Sequence, residues 1–223
     1  MGHVPHLYLP GPWQGPELAL GDDHEHHLTR VLRMSPGAEV SYTDGEGTAG
    51  RGILGRGVVE RDDESSGSLG PAVEVAVAPP DSRQRARFVV EKLVELGVRR
   101  LIWVRTRRTE GRPPPEEKAR AWAVSALEQS RGTRLMAITR SHLDDLDPGR
   151  LVVVHPGPDP FSLAGPRPES PILLVGPEGG LDEAEIPPGA PRLALGSTIL
   201  RVETAALAAT VSWYALHGPD RSR

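Results

Sequence analysis

From residue 72 onward, apolar runs of strand length alternate with amphipathic helices, and this alternation constrains the fold more than any other feature of the chain. Val73–Ala78 reads as a strand. Ser82–Leu96 reads as a helix with Ala86, Val89, Val90, Leu93 and Leu96 on one face, and Gly97 is placed to terminate it. Leu101–Val104 is a second strand, and Glu116–Ser130 a second helix introduced by Pro113-Pro114-Pro115. Leu151–His155 and Ile172–Val175 have buried-strand length, Arg192–Leu195 is a further short strand, and Glu203–Leu216 is a final helix. The alternation predicts a mostly parallel α/β sheet whose ligands lie beyond the carboxyl ends of its strands.

The preceding residues have another pattern. Val4–Leu9, Ala38–Thr43, Gly52–Leu54 and Gly57–Glu60 are short β-prone runs punctuated by Gly, Pro and Asp, with one helix expected over Asp23–Met34. The polar stretch Arg61–Pro71 suits a linker. Two domains are therefore expected, 1–70 and 71–223.

Composition excludes several chemistries. With no cysteine there is no disulfide framework, thiolate zinc site or cysteine nucleophile. No apolar run approaches ~18 residues and no signal-like start is visible, so a cytoplasmic protein without a membrane span is expected. The net charge of −4 argues against a polyanionic partner only as an average. Residues 1–80 carry −7, residues 81–140 carry +8, and residues 141–223 carry −5.

Gly45-Glu46-Gly47-Thr48-Ala49-Gly50 matches a dinucleotide fingerprint in letters, but a strand-like RGILGRGVVE comes next where a helix is required, so a hairpin loop is expected. His24-Glu25-His26-His27 lacks further ligands nearby, and no metal site is assigned. More informative is Gly176-Pro177-Glu178-Gly179-Gly180, a glycine loop after an apolar strand, with Asp182 and Glu185 set as a capping-box-like helix start. A second strand runs into Gly196-Ser197-Thr198-Ile199-Leu200-Arg201-Val202-Glu203. Two such loops on neighbouring strands could enclose one flat ligand between backbone walls. Taken locally, Arg201 and Glu203 could equally form an ion pair at a helix start.

Five segments in order resemble the small-subunit ribosomal RNA uridine N3-methyltransferases (family E), a branch of the SPOUT, or trefoil-knotted α/β, methyltransferases. They are His27-Leu28-x-Arg30-Val31-Leu32-Arg33, Glu95-Leu96-Gly97-Val98, Glu128-Gln129-Ser130, Gly176-Pro177-Glu178-Gly179-Gly180, and Ile199-Leu200-Arg201-x-Glu203-Thr204-Ala205. The resemblance implies a small PUA-like β-barrel that helps grip RNA, then a knotted domain that binds S-adenosylmethionine and forms a homodimer. It implies cofactor contacts from His155, from Val175, Gly176, Pro177, Glu178, Gly179 and Gly180, and from Leu195, Gly196, Ile199, Leu200 and Thr204. The implied substrate is 16S ribosomal RNA or the small subunit. The chain departs from the family pattern at Ser82-Arg83-Gln84-Arg85, where Lys-Gly-Asp-Lys is usual, and at Thr198 and Val202, where Arg and Thr are usual.

Uracil N3 becomes nucleophilic on losing its proton, with the charge shared by the flanking carbonyl oxygens. A permanently protonated Arg stabilises that anion and is a poor base. Arg201 is therefore expected to stabilise the charge, and Glu203 to orient it or relay the proton. The RNA contacts are expected from Arg30, Arg33, Arg83, Arg85, Arg107, Arg108 and Arg131. Reversing Arg107 and Arg108 is expected to weaken RNA binding and leave cofactor affinity intact. Two other readings stay open: methylation of a ribose 2′-hydroxyl or another base, and a non-catalytic RNA-binding protein on this scaffold.

Overall fold

The computed structural model describes residues 4–67 and 73–217, and the chain divides into two compact units. The first comprises Met1–Leu69 together with Val124–Leu135, the second Gly70–Ala123 and Met136–Arg223. The expected boundary at 70/71 falls within 68–72, outside the described residues.

The first unit holds β1 (His6–Tyr8), β2 (Glu17–Ala19), α1 (Asp22–His26), a π-turn (His27–Val31), β3 (Glu39–Thr43), β4 (Thr48–Leu54) and β5 (Val58–Ser66). Its five strands form one sheet in the order β1-β3-β4-β5-β2, parallel only at β1–β3. Leu7, Leu18, Leu28, Val40, Tyr42, Leu54 and Val59 make the core. The G-x-G-x-x-G letters are a β3–β4 hairpin, as expected. Gly50 is there because a Cβ would lie 2.6 Å from the Tyr42 ring. The Tyr42 hydroxyl donates to Glu64 (2.8 Å), and burial first, then Glu64, raises its pKa to about 12.

Two expectations are corrected here. Residues 61–66 are not linker but the second half of β5, because β4 offers them a ladder and Arg61 closes a two-pronged pair with Glu64 (2.6 and 2.7 Å). The expected helix over 23–34 widens into the π-turn, with Leu32 N–H reaching the His27 carbonyl (2.9 Å), and ends at Arg33 with φ 54°. The extra residue in that turn faces Leu28 inward and leaves Val31 and Leu32 exposed. Sequence periodicity also missed β2, β8 and β10.

The C-terminal half of one helix belongs to this unit. Glu128 Oε1 accepts from the Tyr8 amide and from His24 Nε2, both at 2.9 Å. The Thr43 hydroxyl donates to the Thr133 carbonyl (3.0 Å), and His6 Nε2 donates to that of Gly132 (3.0 Å).

The second unit runs β6 (Glu74–Val77), α2 (Arg83–Glu95), β7 (Arg100–Arg105), α3 (Glu116–Ser130), β8 (Ala137–His142), β9 (Leu151–His155), β10 (Ser162–Ala164), β11 (Ile172–Val175), β12 (Arg192–Ala194) and α4 (Val202–His217). The order is β10-β12-β9-β11-β6-β7-β8, parallel except for β10 on β12. Every residue of β6 and β11 is buried, which matches the apolar runs Val75–Val77 and Ile172–Val175, and the buried Glu74 at the start of β6 is paired with Arg100 and Arg150. α4 packs on α2, β11 and β6, with Ala206, Ala209 and Trp213 buried and Val211 and Leu216 exposed. No helix among the described residues is long and apolar enough to cross a membrane.

This order sets the position of the site. From β6 the chain proceeds to β7 and β8 on one side, whereas from β11 it proceeds past β9 to β12 on the other. The connections diverge at the carboxyl ends of β6 and β11, leaving a crevice between them.

In the first unit, burial lowers the His6 pKa from 6.5, opposed by the Gly132 hydrogen bond. The unfolded chain therefore takes up a proton at higher pH than the folded one. The stability due to the neutral ring is complete above 6.5 and is lost as pH falls from there toward the folded value. Urea unfolding between about pH 7.5 and about pH 5.5 is predicted to show falling stability that His6→Gln partly flattens. An unchanged pH slope in the variant would contradict this assignment.

Candidate active site

A cleft of about 720 Å³ opens where those connections diverge. Three loops form it. The loop after β9 contributes His155, and the loop after β11 contributes Val175, Gly176, Pro177, Glu178, Gly179 and Gly180. The segment after β12 contributes Leu195, Ile199, Leu200 and Arg201. Two backbone bonds join the first and third loops: Leu195 N–H to the His155 carbonyl (3.1 Å) and Gly157 N–H to the Gly196 carbonyl (2.7 Å). Val153, Leu181, Ile186 and Leu195 give the cleft an apolar floor. Of the residues expected to hold a cofactor, only Gly196 and Thr204 are outside the lining.

Arg85, expected among the RNA contacts, faces this cleft instead. Its guanidinium donates to Asp81 and Glu178, and Glu203 Oε2 lies 3.7 Å from it. Arg85 and Glu203 are both largely buried, at 18% and 12% side-chain exposure. Among the described residues Glu203 Oε2 has no hydrogen-bond partner. The expected local pairing of Glu203 with Arg201 is not formed. Arg201 is exposed at the cleft, and among the described residues no hydrogen bond or ion pair engages its guanidinium. The nearness of Asp81 and Arg85 in sequence is a legible signal for part of this cluster, since Asp81 lies just before the N-cap Ser82 and Arg85 in the first turn of α2. The partners Glu178 and Glu203 come from distant strands and leave no local trace.

The remaining basic residues sort by what they touch. The Arg83 guanidinium carbon lies over the Trp122 ring, 5.8 Å from its centroid. Arg107 and Arg108 sit on a tight turn in which the Thr106 amide meets the Thr109 hydroxyl (2.9 Å). This turn braces the glycine loop. Arg107 donates its amide to Glu185 (2.7 Å) and its guanidinium to Asp182 (3.4 Å), while Arg108 donates to the Gly179 carbonyl (3.1 Å). The Ala184 amide, aided by Arg107, holds the Asp182 carboxyl below the usual range. Asp182 does cap a short turn, Glu183–Glu185, but Glu185 turns away to Arg107, so the capping box is not closed. Arg30, Arg33 and Arg131 belong to the other compact unit, where Arg131 donates to the Val4 carbonyl (2.7 Å).

Residues 69–213 match the RNA methyltransferase domain family, and the chain belongs to that family. Its fold is similar to a solved structure described as a "probable rRNA-methyltransferase" from Porphyromonas gingivalis, at 25% identity and TM-score 0.79, covering 96% of this chain and 98% of the other. It is also similar to ribosomal RNA small subunit methyltransferase E from Neisseria gonorrhoeae, solved bound to S-adenosyl methionine, at 26% identity and TM-score 0.77, with the same coverage of 96% and 98%.

The brace changes one expectation. Because Arg107 and Arg108 support the glycine loop, reversing them acts on the cleft as well as on the basic surface. Arg107→Glu with Arg108→Glu is predicted to speed amide hydrogen exchange over residues 179–185 with little change in β11. Equal exchange in both proteins would show that the turn carries no such support.

Proposed function

We propose that this protein transfers a methyl group from S-adenosylmethionine to N3 of a uridine in the RNA of the small ribosomal subunit. The observation that carries the reading is an unengaged cation in the cleft lining, Arg201, together with Glu203, which lies behind that lining against Arg85 and whose largely buried Oε2 has no hydrogen-bond partner among the described residues. The family membership and the cofactor in the Neisseria gonorrhoeae relative support it.

The cleft suits the cofactor chemically. Its apolar floor suits an adenine ring, the loop backbone supplies amides and carbonyls for the ring edge and ribose, and the Glu178 carboxylate in the lining favours a cationic ligand. When bound, S-adenosylmethionine supplies an electrophilic methyl group on a sulfonium. Glu203 accepts the N3 proton of the uridine, and Arg85 holds that carboxylate in place. The N3 electron pair so released is the nucleophile. Arg201, protonated throughout, stabilises the charge spread onto the flanking uracil oxygens.

The same reading includes a knotted chain path, a PUA-like role for the first unit, a cytoplasmic location and a homodimer. Exposed Val211 and Leu216 on α4 and Phe88 on α2 support the dimer.

Nucleoside mass spectrometry of small-subunit RNA treated with the protein is predicted to show N3-methyluridine. A methylated ribose or a different base would replace that assignment. Arg201→Ala is predicted to lower turnover by about 10²–10³-fold, with cofactor affinity by calorimetry nearly unchanged. Unimpaired turnover with weakened cofactor binding would remove Arg201 from the charge-stabilising role.

A further inference from the structure

The second unit has another cavity on the same edge of the sheet, and the chemistry proposed above makes no use of it. It encloses about 390 Å³ between the segment after β6 (Pro80, Asp81), the start of α2 (Arg83, Ala86) and the loop before α3 (Glu110–Pro115). Its proximity to the cleft is fixed by one interaction: Asp81 lines this cavity, Arg85 lines the cleft, and the two are hydrogen-bonded. The cavity depends on a glycine. A Cβ at Gly111 would lie 2.0 Å from the Pro79 carbonyl oxygen, so only glycine lets the two segments close against each other.

We propose that this cavity is a subsite for one nucleotide of a single-stranded RNA, adjacent to the nucleotide held in the cleft. The inference rests on the RNA methyltransferase reading above. Arg83 carries the argument. Its guanidinium carbon lies over the Trp122 ring, 5.8 Å from the centroid, within cation–π reach, and Arg83 also lines the cavity. A planar guanidinium anchored there by an aromatic ring can serve as a stacking platform for a base. Pro113, Pro114 and Pro115 supply an apolar wall. Arg112, for which the described residues provide no carboxylate, is placed to take the phosphate. Asp81 is neutralised by Arg85, so among the described residues Glu110 is the only acid in the lining without a cation partner, and the subsite keeps a net positive charge. A volume of about 390 Å³ accommodates one nucleotide and not two.

The test separates a stacking platform from a mere charge. Fluorescence anisotropy with a fluorescein-labelled, uridine-containing single-stranded RNA of about a dozen nucleotides is run on the full-length protein and on R83A, R83K and R112A. Circular dichroism melting and calorimetry with S-adenosylmethionine serve as folding and cleft controls. R83A is expected to bind RNA at least about fivefold more weakly. R83K, which keeps the charge and loses the plane, is expected to be nearly as weak. R112A is expected to lower the slope of log affinity against log salt by about 0.7. All three are expected to bind the cofactor like the parent protein. Parent-like RNA binding by R83K would overturn the stacking platform, and parent-like affinity and salt slope in R83A and R112A would overturn the subsite. Both outcomes leave the methyltransferase reading standing. A parent protein that binds the cofactor and not the RNA would strike that reading and the subsite together.

Discussion

Parallel pairing between β6 and β11 joins segments nearly a hundred residues apart in the chain, in register from Glu74↔Ile172 to Val77↔Val175. Both strands are buried throughout, so neither has another place in the sheet that would hide its side chains. With β6 and β11 side by side, the outgoing connections must separate, and the gap between them has to be lined by the segments leaving each strand. β11 leads into a glycine loop, and β6 leads into the arginine-bearing start of α2. The cleft and the second cavity are both consequences of that one pairing.

Electrostatics then divides residues that look alike in sequence. The basic stretch 81–140 carries +8, yet its arginines do not form one uniform RNA-facing surface. Arg85 is taken by three carboxylates, Arg100 by Glu74, and Arg87 by Glu91. Arg107 and Arg108 are committed to the glycine loop. Among the described residues no carboxylate pairs with Arg83 or Arg112. An exposed ion pair contributes little to stability, and its larger effect here is to determine which cations remain available to a phosphate.

The first unit shows where local reading fails. Residues 61–66 have a linker's composition, but β4 presents unpaired backbone groups, and hydrogen bonding those groups outweighs the low strand propensity of Asp, Glu and Ser. The apolar spacing around Leu28 suggests a regular helix through Met34, whereas one wide turn shifts the register and exposes Val31 and Leu32. Val124–Leu135 read as the continuation of the second domain, because a helix carries no local mark of which core its far end will join.

Residue order alone specifies the alternating architecture, the buried strands, the limits of α2 and α3, and the segments that line the cleft. These depend on the spacing of apolar residues and on glycine and proline, whose effects act over a few residues. The pairing of side chains is another matter. That Glu203 faces Arg85 and leaves Arg201 unengaged emerges only once the chain is folded. So does the bracing of a loop by Arg107 and Arg108, and the placement of Arg83 over Trp122 beside a cavity. A charge interacts with whatever the fold brings within a few ångströms, and for these residues most of those neighbours come from distant parts of the chain.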